Sequence, residues 1–104
     1  MVLILAKRLK SIFTDDMDRC MYTGSFAVER HHIFHNTHGE RMLCEKYGFI
    51  APLRWDLHQN GKDSVHQNPN GKIDLELKKM CQLYYEEHIG TREDFICEFH
   101  RNYL

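Results

Sequence analysis

At 104 residues, 42% apolar and 12% aromatic, the chain has the length of one small domain and enough apolar content to bury a core, which excludes wholesale disorder. A formal net charge of −1 gives no general attraction for a polyanion, so any nucleic-acid contact has to be local. Cys20, Cys44, Cys81 and Cys97 form no C-x-x-C pair, which disfavours a zinc ribbon, and no secretory signal supports a disulfide framework.

The chain opens on Met1-Val2-Leu3-Ile4-Leu5-Ala6, with Lys7, Arg8 and Lys10 behind it and an acidic Asp15-Asp16-Met17-Asp18 run further on. Residues 2–6 read equally as a short strand or as a helical start continuing through Leu9, Ile12 and Phe13. The apolar run is shorter than the roughly 20 residues a span needs, and its basic residues follow it, the reverse of signal-peptide order. A cytoplasmic setting with reduced thiols and no membrane contact is expected.

Ala27 to Phe34 is strand-like, with Thr23-Gly24 before it. Thr37-His38-Gly39-Glu40 has the spacing of a capping box, and the helix it predicts carries Met42, Leu43 and Tyr47 and stops at Gly48. Phe49 to Leu53 is a second short apolar run, which Pro52 restricts to an edge or an end. Arg54 to His58 reads as the first turn of a short helix, and Asn60-Gly61 and Asn70-Gly71 mark turns beyond it. Ile73, Leu77, Met80, Cys81, Tyr84 and His88 recur at three and four residues and predict one face of a long amphipathic helix ending at Gly90. Thr91-Arg92-Glu93-Asp94 predicts a second capped helix, with Phe95, Ile96 and Phe99 on one side. Cys81 and Cys97 are expected to be packing residues on these helices.

Eight histidines lie in the chain, and His31, His32, His58 and His66 stand out by their order around two strands, a helical turn and a loop. Imidazole binds borderline divalent metals, and when it is not a ligand it can take a proton near neutral pH. Adjacent residues on a regular strand face opposite ways, so the strand must end or bend at His31-His32 if both serve one centre. His35 and His38 read as bystanders in the connecting loop, and His88 and His100 as structural or solvated residues of the tail.

Glu29-Arg30-His31-His32-Ile33, Cys44-Glu45-Lys46-Tyr47-Gly48, Pro52-Leu53 through His58, and Val65-His66 form an ordered set. It resembles the HNH family of His-Me finger endonucleases, in particular small phage-borne members related to recombination-enhancement nucleases. The tail segments Thr91 to Ile96 and Asn102-Tyr103-Leu104 also resemble theirs, and the likeness covers about Cys20 to the end of the sequence.

The resemblance implies an α+β fold with a ββα-metal finger and a C-terminal helical pair. It divides the single domain 1–104 into an extension at 1–19, a finger at 20–68 and a helical tail at 69–104. It implies His31, His58 and His66 as ligands of a divalent ion (Mg²⁺, Mn²⁺, Ni²⁺ or Zn²⁺) and His32 as general base. DNA is the implied partner, in a phage or bacterial host cytoplasm, with hydrolysis of phosphodiester bonds during recombination or DNA processing as the activity. Arg30, Arg54 and Lys62 are the candidate phosphate contacts, with Arg41 also weighed. The family's central asparagine is missing, since Gly48-Phe49 stands at its place; Asn60 and Asn68 are the candidates to replace it. Two rivals stand beside the enzyme: a non-catalytic zinc-bound module for DNA or protein binding, and a metal-free helical adaptor.

Overall fold

The computed structural model describes residues 10–104, apart from the side chains of His38 and Asn60. The opening element expected at residues 2–6, and Lys7 and Arg8 of the basic cluster, lie outside the described residues. In chain order the fold runs β1 (Val28–His32), α1 (His38–Tyr47), β2 (Ile50–Arg54), one π-helical turn (Asp56–Asn60), α2 (Lys72–His88) and α3 (Arg92–Phe99). It is a small α+β protein whose two strands pair antiparallel, Val28 opposite Arg54 and His32 opposite Ile50.

Pro52 fits this sheet for a definite reason. Backbone N and O of one strand residue point to the same side, and the Pro52 carbonyl accepts from Met21 N (3.0 Å) on the side away from β1. The missing N–H therefore falls outside the ladder. β1 stops earlier than the run to Phe34 suggested. Ile33 N still reaches Phe49 O (3.0 Å), but the chain then turns inward and the Cys44 thiol brackets Phe34, accepting from its N (3.3 Å) and donating to its O (3.2 Å). Phe34 sinks into the core against Phe99 (ring centroids 4.5 Å apart) and Phe95.

Helix α1 starts as expected at Thr37, whose hydroxyl accepts from Glu40 N (3.1 Å). The reciprocal arm of the box is displaced, because Glu40 accepts from Asn36 N (3.1 Å) one residue earlier. Gly48 closes the helix in the left-handed conformation, φ 80°, where a side chain would be strained. In α3, Thr91 and Asp94 form the complete capping box.

The buried face of α2 is rotated from the one the apolar spacing predicts. Asp74, Leu77, Lys78, Cys81, Gln82 and Tyr85 face inward, while Met80 and His88 are exposed. Three of these inward residues are polar and are buried because each is satisfied. Lys78 pairs with Asp74 (2.9 Å) and Asn70 (3.0 Å), and Gln82 binds Asn102 (2.7 Å), Glu86 (2.9 Å) and Tyr103 N (2.7 Å), strapping the C-terminal segment to the helix. Helix α3 buries Phe95 and Phe99 but not Ile96, and Cys97 is exposed rather than a packing residue, since the short helix lays only one narrow stripe on the core. Tyr47 and Tyr85 both donate to Glu98, which ties α1, α2 and α3 together.

Phe99 touches Phe34, Phe95 and Phe49 at centroid distances of 4.5, 4.8 and 5.7 Å. Phe99→Ala is expected to lower unfolding free energy by about 3–5 kcal/mol, and Ile96→Ala by under about 1 kcal/mol, the ordinary range for an exposed site. Urea denaturation of the two variants checks that α3 lays only one narrow stripe on the core; equal losses would contradict it.

Candidate metal centre

Strand alternation sorts the β1 side chains. Glu29 and His31 point to the side that faces the π-helical turn, and Val28, Arg30 and His32 to the other. His31 is 1% exposed, and its ring lies 5.0 Å from His58, 5.4 Å from His66 and 5.6 Å from His35. His32, at the last position of the strand, contacts Glu45 of α1 through Nε2 (3.2 Å). The strand ends at the pair, as two roles for adjacent histidines require.

His58 sits in the π-helical turn rather than in an ordinary helical one. The turn closes with Gly61 N on Asp56 O (2.9 Å), and a Cβ on Gly61 would collide with that carbonyl. Glycine is thus needed there for close approach, its φ being an ordinary −81°. Two backbone bonds, Val65 N to Leu57 O (2.8 Å) and His66 N to His58 O (3.1 Å), lay the next segment alongside and bring His66 next to His58. Asn68 braces this loop from within, its Nδ2 donating to Lys62 O (2.7 Å) and Ser64 O (2.9 Å).

The protonation pattern follows from the partners. Glu29 Oε1 lies 2.8 Å from His58 Nδ1 and also accepts from Gln59 Nε2 (3.1 Å). A carboxylate only accepts, so His58 carries its hydrogen on Nδ1 and turns the Nε2 lone pair inward. His66 Nε2 stands 3.0 Å from His58 Nε2. Burial holds the His31 pKa down to about 2, with the charges on His58, His35 and His66 acting the same way. Burial also lowers His66 and His35, with His58 adding to the effect on His66 and Asp74 opposing it on His35. Neutral rings with free lone pairs result.

His31, His58 and His66 each offer one ligand atom, all within 4.8 Å of one another, close enough to hold one divalent ion between them. His31 Nε2 is the buried side-chain atom without a hydrogen-bond partner among the described residues. Leaving such an atom unsatisfied costs about 1–3 kcal/mol. An ion would answer that deficit. Two metal–nitrogen bonds of about 2.0–2.1 Å span at most about 4.2 Å. The 3.0 Å between His58 and His66 meets that limit, and the widest separation, within 4.8 Å, reaches it by a small inward shift of a ring. The residues fit a metal with three protein ligands.

The pocket, about 310 Å³, is lined by Arg30, His31, His32, His35, Arg41, His58, Gln59 and His66. A larger concavity of about 600 Å³ between Tyr22, Val65 and Ile73 holds none of the histidines, so chemistry rather than size marks the site. The side chains of Arg30 and Arg41 make no hydrogen bond or ion pair with another described residue. Arg54, by contrast, is forked onto Asp56 (Nε–Oδ1 2.6 Å, Nη2–Oδ2 2.9 Å), and Lys62 is exposed outside the pocket. His35, read as a bystander, belongs to the pocket, with its ring 4.9 Å from His66. Glu29 was findable by strand alternation, two residues before His31; Glu45 and His35 arrive through the turn after β1 and have no periodic signal.

No protein family, curated protein or solved structure matches the chain. Among the described residues, no helix is long and apolar enough to cross a membrane.

Two measurements test this centre. Calorimetric titration with Zn²⁺ or Ni²⁺ is expected to show affinity falling about 10–100-fold in Glu29→Ala, as for loss of an orienting partner, and further in His58→Ala; unchanged affinity in the latter removes His58 from the site. The second is stability of the metal-free protein against pH. His31 titrates near 6.5 unfolded and near 2 folded, so between these values the unfolded chain holds the extra proton. Stability should fall with falling pH by about 1.4 kcal/mol per unit for such a group. Urea midpoints between pH 7.5 and 5 check it, with a shallower slope expected for His31→Gln.

Proposed function

We infer that the protein is a metal-dependent HNH-type endonuclease that hydrolyses phosphodiester bonds in DNA, its two strands, π-helical turn and loop serving as a compact ββα-metal finger. The observation that carries this reading is the partnerless His31 Nε2 inside a cluster of three ligand atoms, with a fourth histidine, His32, on the wall of the same pocket. Three ligands leave a coordination position open, which is the arrangement of catalytic rather than structural sites. When bound there, a divalent ion supplies Lewis-acid stabilisation of the charge that develops on phosphoryl and leaving oxygens.

The chain's own groups do the rest. Glu45 accepts from His32 Nε2–H, which leaves the Nδ1 lone pair to take a proton from attacking water. Glu29 holds the His58 ring in the tautomer that keeps Nε2 unprotonated. Arg30 and Arg41, with no carboxylate partner among the described residues, donate from their guanidinium forks to phosphate oxygens. Asn68, in bracing the His66 loop, does the work expected of the absent central asparagine. Resemblance to recombination-enhancement nucleases supports a role in phage DNA processing.

One observation favours the second reading, a zinc-bound module without catalysis. The His35 ring lies 4.9 Å from His66 and 5.6 Å from His31, near enough to complete a four-histidine shell if it turns inward.

His32→Ala is expected to cut plasmid cleavage by about 10²–10⁴-fold, the contribution of a general base, with metal affinity intact, while His31→Ala loses metal and cleavage together. The assay compares Mg²⁺, Mn²⁺, Co²⁺, Ni²⁺ and Zn²⁺. Equal cleavage by His32→Ala at matched metal occupancy refutes the base assignment. Absence of cleavage with every ion, together with a closed tetrahedral Co²⁺ spectrum that changes in His35→Ala, establishes the module instead.

A further inference from the structure

The outward side of β1 carries a surface that the metal centre does not use. A concavity of about 430 Å³ is lined by Met17, Asp18, Phe26, Val28 and Arg30, and it meets the histidine pocket at Arg30, which lines both. Phe26 is 68% exposed, the most exposed of the large apolar side chains described. One face of its ring is covered by the Arg19 guanidinium, 4.2 Å from the centroid, and Arg19 is itself held by Asp16 (3.4 Å). No other ring or cation among the described residues lies over Phe26, which leaves its other face accessible. Val28, Arg30 and His32 share one side of the strand, and Phe26 precedes it across a bend closed by Val28 N on Phe26 O (3.1 Å), so the groove runs from Phe26 to Arg30, two residues from the proposed base.

We propose that this groove is a base-stacking subsite for a single-stranded stretch of DNA lying beside the scissile phosphate, with an unpaired base on the open face of Phe26 and the adjoining phosphate at Arg30. The proposal rests on the nuclease reading and names its substrate class. Two features favour an unpaired base. Every free base has a π-face to stack on an aromatic ring, whereas a paired one inside a duplex presents only its edges. A phenyl ring that wedges between stacked base pairs needs both faces, and Arg19 occupies one. Arg30 gives the other end of the groove a guanidinium fork for phosphate, which assigns the base to the Phe26 end. Arg19 over the ring also adds positive charge behind the stacking face.

The test is binding by the full chain without cleavage, in chelator, read as fluorescence anisotropy of a labelled single-stranded DNA oligomer, the RNA oligomer of the same sequence and the blunt DNA duplex. Phe26→Ala should weaken single-stranded DNA binding by about five- to a hundredfold, the effect of losing one base–aromatic stack. Phe26→Trp should retain it, and duplex affinity should change less than about twofold in both. Phe26 lies outside the core, so the variants fold; matching thermal melts check this. The proposal is overturned if Phe26→Ala binds single strands like wild type, if duplex binding falls equally, or if only RNA binding depends on Phe26. Plasmid cleavage by wild type, measured separately, reports on the nuclease reading. A chain that cleaves but shows no dependence on Phe26 refutes the subsite alone, and one that binds no nucleic acid refutes both.

Discussion

The arrangement depends on one constraint: the His31 imidazole is buried with a nitrogen that has no hydrogen-bond partner among the described residues. A core would ordinarily fill that position with an apolar ring of similar size, or supply a donor or acceptor for the nitrogen. This fold does neither. It surrounds His31 with three further imidazoles, groups that cannot be protonated together at such distances. The neutral cluster is thus an arrangement of lone pairs held in place by the rest of the structure.

Holding it requires rigidity from unlike sources. On the strand side the backbone ladder fixes His31 opposite Ala51, in a strand buried at four of its five positions. On the loop side nothing so regular exists. The π-helical turn, the close approach at Gly61, two backbone bonds and the Asn68 amide together position His58 and His66. The Cys44 thiol performs a comparable task for the bend after β1. Burial pushes this thiol up to about 12, so it remains protonated and able to donate to the Phe34 carbonyl.

The sequence revealed the elements with strong local chemistry. Thr37, Gly48, Thr91 and Asp94 announced helix ends because capping is decided within a few residues. The order of His31, His58 and His66 announced the cluster that forms. Other features were hidden because they depend on partners distant in sequence. The rotation of α2 follows from Lys78 meeting Asp74 and Asn70, and from Gln82 meeting the C-terminal segment, so apolar spacing alone chose the wrong face. His35 was hidden for another reason: once β1 bends, period-two alternation no longer says which way a side chain points. Arg54 shows the opposite error, since its carboxylate partner is only two residues away and was legible.

The near-zero net charge also has a different meaning at the site than in the chain as a whole. Around the pocket, the Glu29 and Glu45 carboxylates lie against His58 and His32 and offset the guanidiniums of Arg30 and Arg41. A balanced pocket neither repels a cation nor strongly attracts a polyanion. Once a divalent ion is held by the three histidines, the same pocket carries an excess of about two positive charges, concentrated between walls of low dielectric. For the nuclease proposed above, phosphate attraction is then strongest where the metal is. On that reading the bound ion adds to the attraction that Arg30 and Arg41 offer a phosphate, and the carboxylates beside the histidines keep the added field local to the metal.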